Sequence, residues 1–223
     1  MHNECLLKLQ EILTDTVIAD IESLYKRYEK SHFYVCALSV NDDFSHVFLS
    51  LNAEENLDSK YTEISQENLI RKWNPTSWPY QNYQLDDKGR LQEANGLLYK
   101  LREAISNDIY TTQIETILID VLFSEKNKIR EILKNENLYL FVSMVDDAYS
   151  EELEAKSAKR LNSPVQYKLF LNRYKMESDF KLEAEEAWRN KNYTLFMDLI
   201  SNVKDISLLE KKKIEYAKLQ ISK

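Results

Sequence analysis

Three pairs of adjacent aspartates come nearest in this chain to a catalytic set. They are Asp42-Asp43, Asp86-Asp87 and Asp146-Asp147. Paired carboxylates hold magnesium in phosphoryl-transfer sites, so two pairs that converged in one cleft would surround a shared ion. All three pairs stand where a turn or a helix start is expected, and aspartate is favoured there for its own backbone hydrogen bonds. We therefore interpret the pairs first as turns and caps, with a divalent-metal enzyme as the alternative.

The histidines, cysteines and glycines do not form a further recognisable site in the sequence. His32 and His46 have no histidine or cysteine at the spacing of a zinc-ligand pair. Cys36 lies in an apolar run, where it is expected to pack as a small buried side chain. Gly89 and Gly96 are seven positions apart, which fits neither a Walker A loop nor a dinucleotide-binding fingerprint. We predict no bound metal, nucleotide or other cofactor.

An aromatic loop, Trp73 to Tyr80, separates two helical stretches. Its two prolines bias the residues before them away from the helical conformation. Trp73, Trp78 and Tyr80 either pack in the core or face a partner, because tryptophan and tyrosine are frequent at binding hot spots. Core packing of the two tryptophans is the first interpretation. Tyr80 and Trp78 are nevertheless candidate partner-binding residues, together with the acidic turn Asp86-Asp87.

Along the chain, the predicted secondary structure that must position these residues is first helical, then extended, and then mainly helical again. Apolar residues recur at three- and four-residue steps from Leu6 to Tyr28, which predicts one or two amphipathic helices. Two apolar runs, 33–40 and 44–51, flank Asn41-Asp42-Asp43 and predict a β-hairpin. Further along we expect short helices at 52–57 and 65–72, helices at 91–105 and 112–133, a strand at 138–145, and a helix from 146 to about 161. The pattern predicts an α+β fold with a small, mainly antiparallel sheet covered by helices on one face.

Asn162-Ser163-Pro164 is the best candidate for a domain boundary. We predict an α+β core domain over residues 1–162 and a helical tail over 163–223 that packs on it. In the tail, Ser178 is expected to cap a helix that runs to Trp188, and a second helix follows over 193–200. Ser207 and Glu210 have the spacing of a capping box that opens the last helix.

The charge is distributed unevenly over the 223 residues. Residues 1–150 contain 15 Lys and Arg against 25 Asp and Glu, a net of −10, whereas residues 151–223 contain 15 against 12, a net of +3. An acidic body repels nucleic-acid phosphates and anionic membranes and attracts basic partners. The N-terminus lacks an apolar signal-peptide region, and no apolar run reaches the ~18 residues of a membrane span. We therefore expect a cytoplasmic protein that contacts neither nucleic acid nor membrane.

Two segments resemble a family of uncharacterised bacterial proteins that is known only as a domain of unknown function. The first is 33–57, which looks like the family's strand, aspartate turn, second strand and Asn-Thr-Glu-Glu, although Ala53 stands where threonine is expected. The second is KWNPTSWPY at 72–80, which resembles a family pattern of Trp, Ser/Asn-Pro and Trp-Pro. The tail segments 184–200 and 209–220 are similar to the C-terminal helices of immunity proteins of bacterial polymorphic toxin systems.

The resemblance implies a small cytoplasmic α+β protein, often encoded near toxins, whose role is to bind. It carries over no catalytic residues, because the family has none established. We therefore predict a non-enzymatic protein that binds a protein partner stoichiometrically, as an immunity protein that neutralises a cognate bacterial toxin. A basic toxin domain, such as a nuclease, would suit the acidic surface. The alternatives are an enzyme that uses the aspartate pairs with a divalent metal, and a helical adaptor that acts through the tail. The oligomeric state stays open.

Overall fold

A computed structural model describes residues 2–57, 66–85, 91–145, 149–204 and 206–221 of the chain. The chain divides into two compact units, the first containing most residues up to Leu171 and the second those from Asn172 onward. The first contains α1 (His2–Arg27), β1 (Phe33–Val40), β2 (Val47–Ala53), α2 (Gln66–Trp73), β3 (Tyr80–Gln81), α3 (Gln92–Ala104), α4 (Asn107–Ile132), β4 (Tyr139–Met144), α5 (Ser150–Leu161) and α6 (Pro164–Leu171). The second contains α7 (Glu177–Arg189), α8 (Tyr193–Ile200) and α9 (Leu208–Ile221). This architecture confirms the predicted α+β class.

The four strands form one mixed sheet in the order β3-β2-β1-β4. β1 and β2 are the predicted hairpin, antiparallel from the Val40–Val47 pair to the Phe33–Ala53 pair. β3 is also antiparallel to β2, whereas β4 lies parallel to β1 in the register of Val35 with Tyr139. The sheet is therefore mainly antiparallel. The parallel pair is possible because a long connection through α3 and α4 carries the chain back to the starting end of the sheet.

Both faces of the sheet are covered, where the sequence predicted helices on one face. The side of β1 that carries Cys36, Leu38 and Val40 belongs to the main core together with apolar residues of α1, α3 and α4. On the other side, Phe141 packs against Trp78 and Phe170, with ring centroids 5.9 and 4.9 Å apart. All eight residues of β1 are consequently buried. A central strand that is covered on both faces is expected to be a nearly continuous apolar run, as β1 is apart from Ser39.

Several element ends differ from the prediction for local reasons. α1 is one 26-residue helix, not two. β2 begins at Val47 instead of residue 44, because Phe44 has a φ of 55° within the hairpin turn and cannot continue a strand. α4 begins at Asn107, five residues before the predicted start. Ser178 lies inside α7 and does not cap it, since the helix begins at Glu177 with Met176 as its N-cap.

The second unit is built from α7, α8 and α9. Its core contains Phe180, Ala184, Ala187, Phe196, Ile200, Val203 and Ala217. The predicted capping box is confirmed: Ser207 N donates to Glu210 Oε2 over 2.6 Å, and Glu210 N donates to Ser207 Oγ over 3.2 Å. α6 belongs to the first unit, so the division lies after Leu171, whereas the sequence suggested 162. The packing of the tail on the core stays a prediction.

Helices in the described part of the chain include none with the length and apolarity that crossing a membrane requires.

Candidate protein-binding groove

A groove lies beside β2, between the hairpin end, the segment 81–83 and α3. We call it the β2–α3 groove; it has a volume of about 870 Å³. Its lining residues are His46, Val47, Phe48, Gln81, Asn82, Tyr83, Leu91, Gln92, Asn95, Gly96 and Tyr99. Among these described lining residues there is no Asp, Glu, Lys or Arg, and four are side-chain amides. The groove is therefore a neutral, partly aromatic surface on a body whose net charge is negative.

Two asparagines of the groove close the backbone edge of β2. Asn95 accepts from Val47 N over 2.8 Å and donates to Val47 O over 3.3 Å. Asn82 accepts from Leu49 N over 3.1 Å. Beyond that point the two-residue strand β3 takes over and pairs with Ser50 and Leu51. Strand edges normally leave these groups open, so the two side chains replace a neighbouring strand.

The opposite edge of the sheet, formed by β4, is closed in the same way. Asn162 accepts from Leu140 N over 2.9 Å and donates to Leu140 O over 2.7 Å. Ser157 Oγ accepts from Val142 N over 2.9 Å, and Ser150 Oγ accepts from Met144 N over 3.2 Å. Polar side chains of α5, and Asn162 directly after it, thus bond the outward backbone groups of β4, as Asn82 and Asn95 bond those of β2.

The exposed rings of the groove are Tyr83, which is 60% exposed, and Tyr99, which is 56% exposed. Most of the nearby amides are already engaged, because Asn82 and Asn95 bind the backbone of β2 and Gln81 Nε2 donates to Trp78 O over 2.9 Å. What the groove offers to another molecule is therefore mainly aromatic surface. Aromatic surface with few free polar groups is typical of a protein contact.

Neither of the two exposed tyrosines was predicted from the sequence. Gln92, Asn95, Gly96 and Tyr99 recur at the i, i+3, i+4 and i+7 spacing of one helix face. A tyrosine on an otherwise polar helix face was the signal that could have identified Tyr99. Tyr83 has no comparable signal, since its neighbours Asn82 and Gln84 form a short irregular turn.

The predicted partner-binding residues are not among the lining residues of the groove, and two of them lie outside the described residues. Trp78 is 2% exposed and packs on Phe141, so its ring is closed to a partner in this structure. Tyr80 is half-buried, with its ring edge-on to Tyr28 and Phe33 at 4.7 and 5.1 Å. Asp86-Asp87 lies outside the described residues.

Asp43 is a turn residue. Its Oδ1 accepts from Ser45 N over 2.9 Å, and its Oδ2 pairs with the Arg102 guanidinium. Burial alone would raise the pKa of Asp43, but the hydrogen bonds of Ser45 and the Arg102 charge outweigh it and lower that pKa. The second aspartate of the pair, Asp42, is exposed, and Asp146-Asp147 lies outside the described residues. Within the described ranges, no three His, Cys, Asp or Glu side chains are grouped to hold a metal ion.

Replacing Arg102 with glutamine is expected to raise the pKa of Asp43, because the neighbouring positive charge is removed. The lowered pKa means that Asp43 stabilises the fold above the carboxyl's unfolded pKa and that this contribution is lost as the pH falls through the folded value. Carbon-detected NMR titration of the Asp43 carboxyl measures the shift. Lys100→Gln, an exposed cation on the same helix, is the control, and an equal shift in both variants would contradict the specific pairing.

Three further groups of the first unit, Cys36, Glu154 and His32, are buried or bonded to neighbours. Cys36 is fully buried, and burial raises the pKa of its thiol. Glu154, which is 5% exposed, accepts from Ser143 Oγ over 2.6 Å and from Ser150 Oγ over 3.1 Å. His32 is exposed and bonds to Glu55. None of these three residues lines the β2–α3 groove.

The fold defines an α+β protein whose small sheet is closed at β2 and β4 by polar side chains and flanked by a neutral groove. A family model described as Domain of unknown function (DUF4303) matches residues 13–163, well over half of the chain. The chain belongs to this family. The match includes β1 to β4 and every lining residue of the groove, while the residues from Asn172 onward, which contain α7 to α9, lie outside it. No curated protein and no solved structure matches the chain significantly.

Proposed function

We propose that this protein binds another protein stoichiometrically and neutralises a bacterial toxin, acting in the cytoplasm as its immunity protein. The observation that carries the proposal is the β2–α3 groove, in which Tyr83 and Tyr99 expose more than half of their surface. Tyrosine buries a large area with few rotatable bonds, which suits it to the centre of a protein interface. The groove lies within the family region, so the proposal attaches to the part of the chain that the family shares.

The charge of the first 150 residues supports a basic partner. Residues 1–150 have a net charge of −10, and such a field accelerates the encounter with a positively charged protein. A toxin that acts on nucleic acid must carry positive charge at its own binding surface. An acidic protein that covers this surface would block the toxin without any catalytic group.

Binding is favoured over catalysis by the state of the described polar groups. Asp43 is held by Ser45 and Arg102, and Cys36 is buried. Two of the four groove amides, Asn82 and Asn95, are bonded to the β2 backbone. A catalytic site needs a base or nucleophile that reaches the substrate, and these groups are engaged elsewhere.

Co-expression with the product of the adjacent gene tests the proposal directly. We expect that product to arrest growth alone and growth to return when this protein is present. Association of the two purified proteins should slow markedly with added salt, because the Debye length falls from ~10 Å at 0.1 M to ~3 Å at 1 M. If the neighbouring product is harmless alone, or kills equally well in the presence of this protein, the immunity function is wrong.

A further inference from the structure

We infer that the partner docks in the β2–α3 groove through side chains alone, presenting a basic surface that inserts an apolar side chain between the tyrosines, and that it does not add a β-strand to the sheet. This inference rests on the proposed function and specifies how the partner is recognised. It follows from three features of the groove: its closed strand edge, its neutral floor and its acidic rim.

The closed edge excludes the commonest way in which a sheet captures a peptide. Strand addition needs a row of open N–H and C=O groups on an edge strand. Val47 already exchanges both backbone hydrogen bonds with Asn95, and Leu49 N already donates to Asn82. The β4 edge is occupied in the same way by Asn162 and side chains of α5. A strand that approached either edge would first have to break these bonds.

The floor of the groove selects an apolar group rather than a polar metabolite. Both amide atoms of Asn82 are used, since Nδ2 also donates to Asp20 Oδ2 over 3.2 Å. Both amide atoms of Asn95 are used on Val47. A small polar ligand is held by a few converging polar groups, and the two asparagines of the groove floor are already bonded to Val47, Leu49 and Asp20. The tyrosine rings, by contrast, remain more than half exposed.

The rim supplies the charge. Asp42 lies in the hairpin turn, and Glu93 and Glu103 lie on α3, the two elements that flank the groove. All three are exposed, and Glu103 is one helical turn beyond Tyr99 on α3. Arg102 is neutralised by Asp43, which leaves Lys100 as the exposed cation nearest to Tyr99 in sequence. An aromatic centre with a charged rim is the usual layout of a protein interface, and an acidic rim is complementary to a basic partner.

Gly96 offers a matched pair of variants for testing the groove. It lies on the lining face of α3, and a Cβ built there meets no atom within 4 Å. Gly96→Trp therefore has room for its Cβ, and we expect its ring to fill the groove, while Gly96→Ala adds one methyl group and improves the helix. Thermal unfolding of both variants shows whether the fold is kept. Tyr99→Ala removes an anchor without filling the space and gives an independent second variant.

The probe is a displayed library of random 12-residue peptides selected on the wild-type protein. We expect enriched peptides to combine lysine or arginine with a large apolar residue. Their binding should weaken about tenfold or more in Gly96→Trp and Tyr99→Ala, and much less in Gly96→Ala, which adds only one methyl group to the groove. Selection that enriches no peptide, or peptides that bind all four proteins equally, would overturn the inference.

Asn95→Ala separates side-chain docking from strand addition. The substitution opens the backbone of Val47, so peptides that add as strands would bind this variant more tightly than wild type. We expect no gain. A gain would show that the groove captures strands, and that the recognition mode inferred here is wrong.

Co-expression with the toxin candidate keeps the two proposals apart. Equal protection by the wild type and Gly96→Trp would overturn the groove as the docking surface and leave the immunity function standing. Groove-dependent peptide binding without any protection by the wild type would overturn the immunity function and leave the docking surface standing.

Discussion

Replacing Trp78 with alanine is expected to lower the free energy of unfolding of the first unit by about 3–5 kcal/mol, as for other large aromatic residues removed from a core. The ring is 2% exposed and packs at 5.9 Å on Phe141, in the layer that covers the second face of the sheet. Its removal leaves a cavity that Phe170, already packed on Phe141, cannot fill without moving α6. Chemical denaturation of the full chain measures the loss of stability. Amide hydrogen exchange of β1 shows whether the loss is in the first unit.

Tyr83→Ala is the control for this substitution, because it also removes an aromatic ring but one that is 60% exposed. It should change the stability by no more than about 0.5 kcal/mol. A small effect of Trp78→Ala on stability, combined with loss of partner binding, would contradict the buried position and return Trp78 to the list of contact residues. Trp78→Phe keeps most of the ring volume, so its loss of stability should lie between those of Trp78→Ala and Tyr83→Ala.

Replacing Asn82 with alanine is the second substitution with a large expected effect, about 2–4 kcal/mol. Asn82 is 3% exposed and is bonded both to Leu49 N and to the carboxylate of Asp20, itself 1% exposed. A neutral hydrogen bond contributes about 1 kcal/mol and one to a charged group about 1.5–3 kcal/mol, and the partners left behind are buried. Equilibrium denaturation measures the effect.

Gln92→Ala provides the matched control, since Gln92 is an exposed amide that lines the same groove. Its stability should stay within about 0.5 kcal/mol of wild type. Asn82→Asp should be at least as destabilising as Asn82→Ala, because it places a second carboxylate beside Asp20. Equal stabilities of the Asn82→Ala and Gln92→Ala variants would show that closing the edge of β2 does not contribute to the fold.

The sequence by itself determined the features that depend on near neighbours. The apolar, β-branched run of β1 and the polar turn after it specify a hairpin, because strand alternation and turn chemistry act over a few residues. Ser207 and Glu210 specify a helix start, because each side chain needs only a backbone N–H three positions away. The family resemblance rested on such local patterns and agrees with the family match.

Only the tertiary structure decided the partners that lie far apart in the chain. Asn95 and Asn82 close the edge of β2 from 48 and 33 positions away, and nothing in the residues around either asparagine indicates that role. The same holds for Trp78 and Tyr83: both are aromatic residues in irregular segments, yet one is buried under the sheet and the other is exposed in the groove. Burial depends on which surfaces the folded chain brings together, and a single side chain's type does not fix it. The sequence could therefore predict a binding protein from its charge and its family resemblance, but it could not locate the groove. The groove and its exposed tyrosines depend on the packing of α3 beside β2.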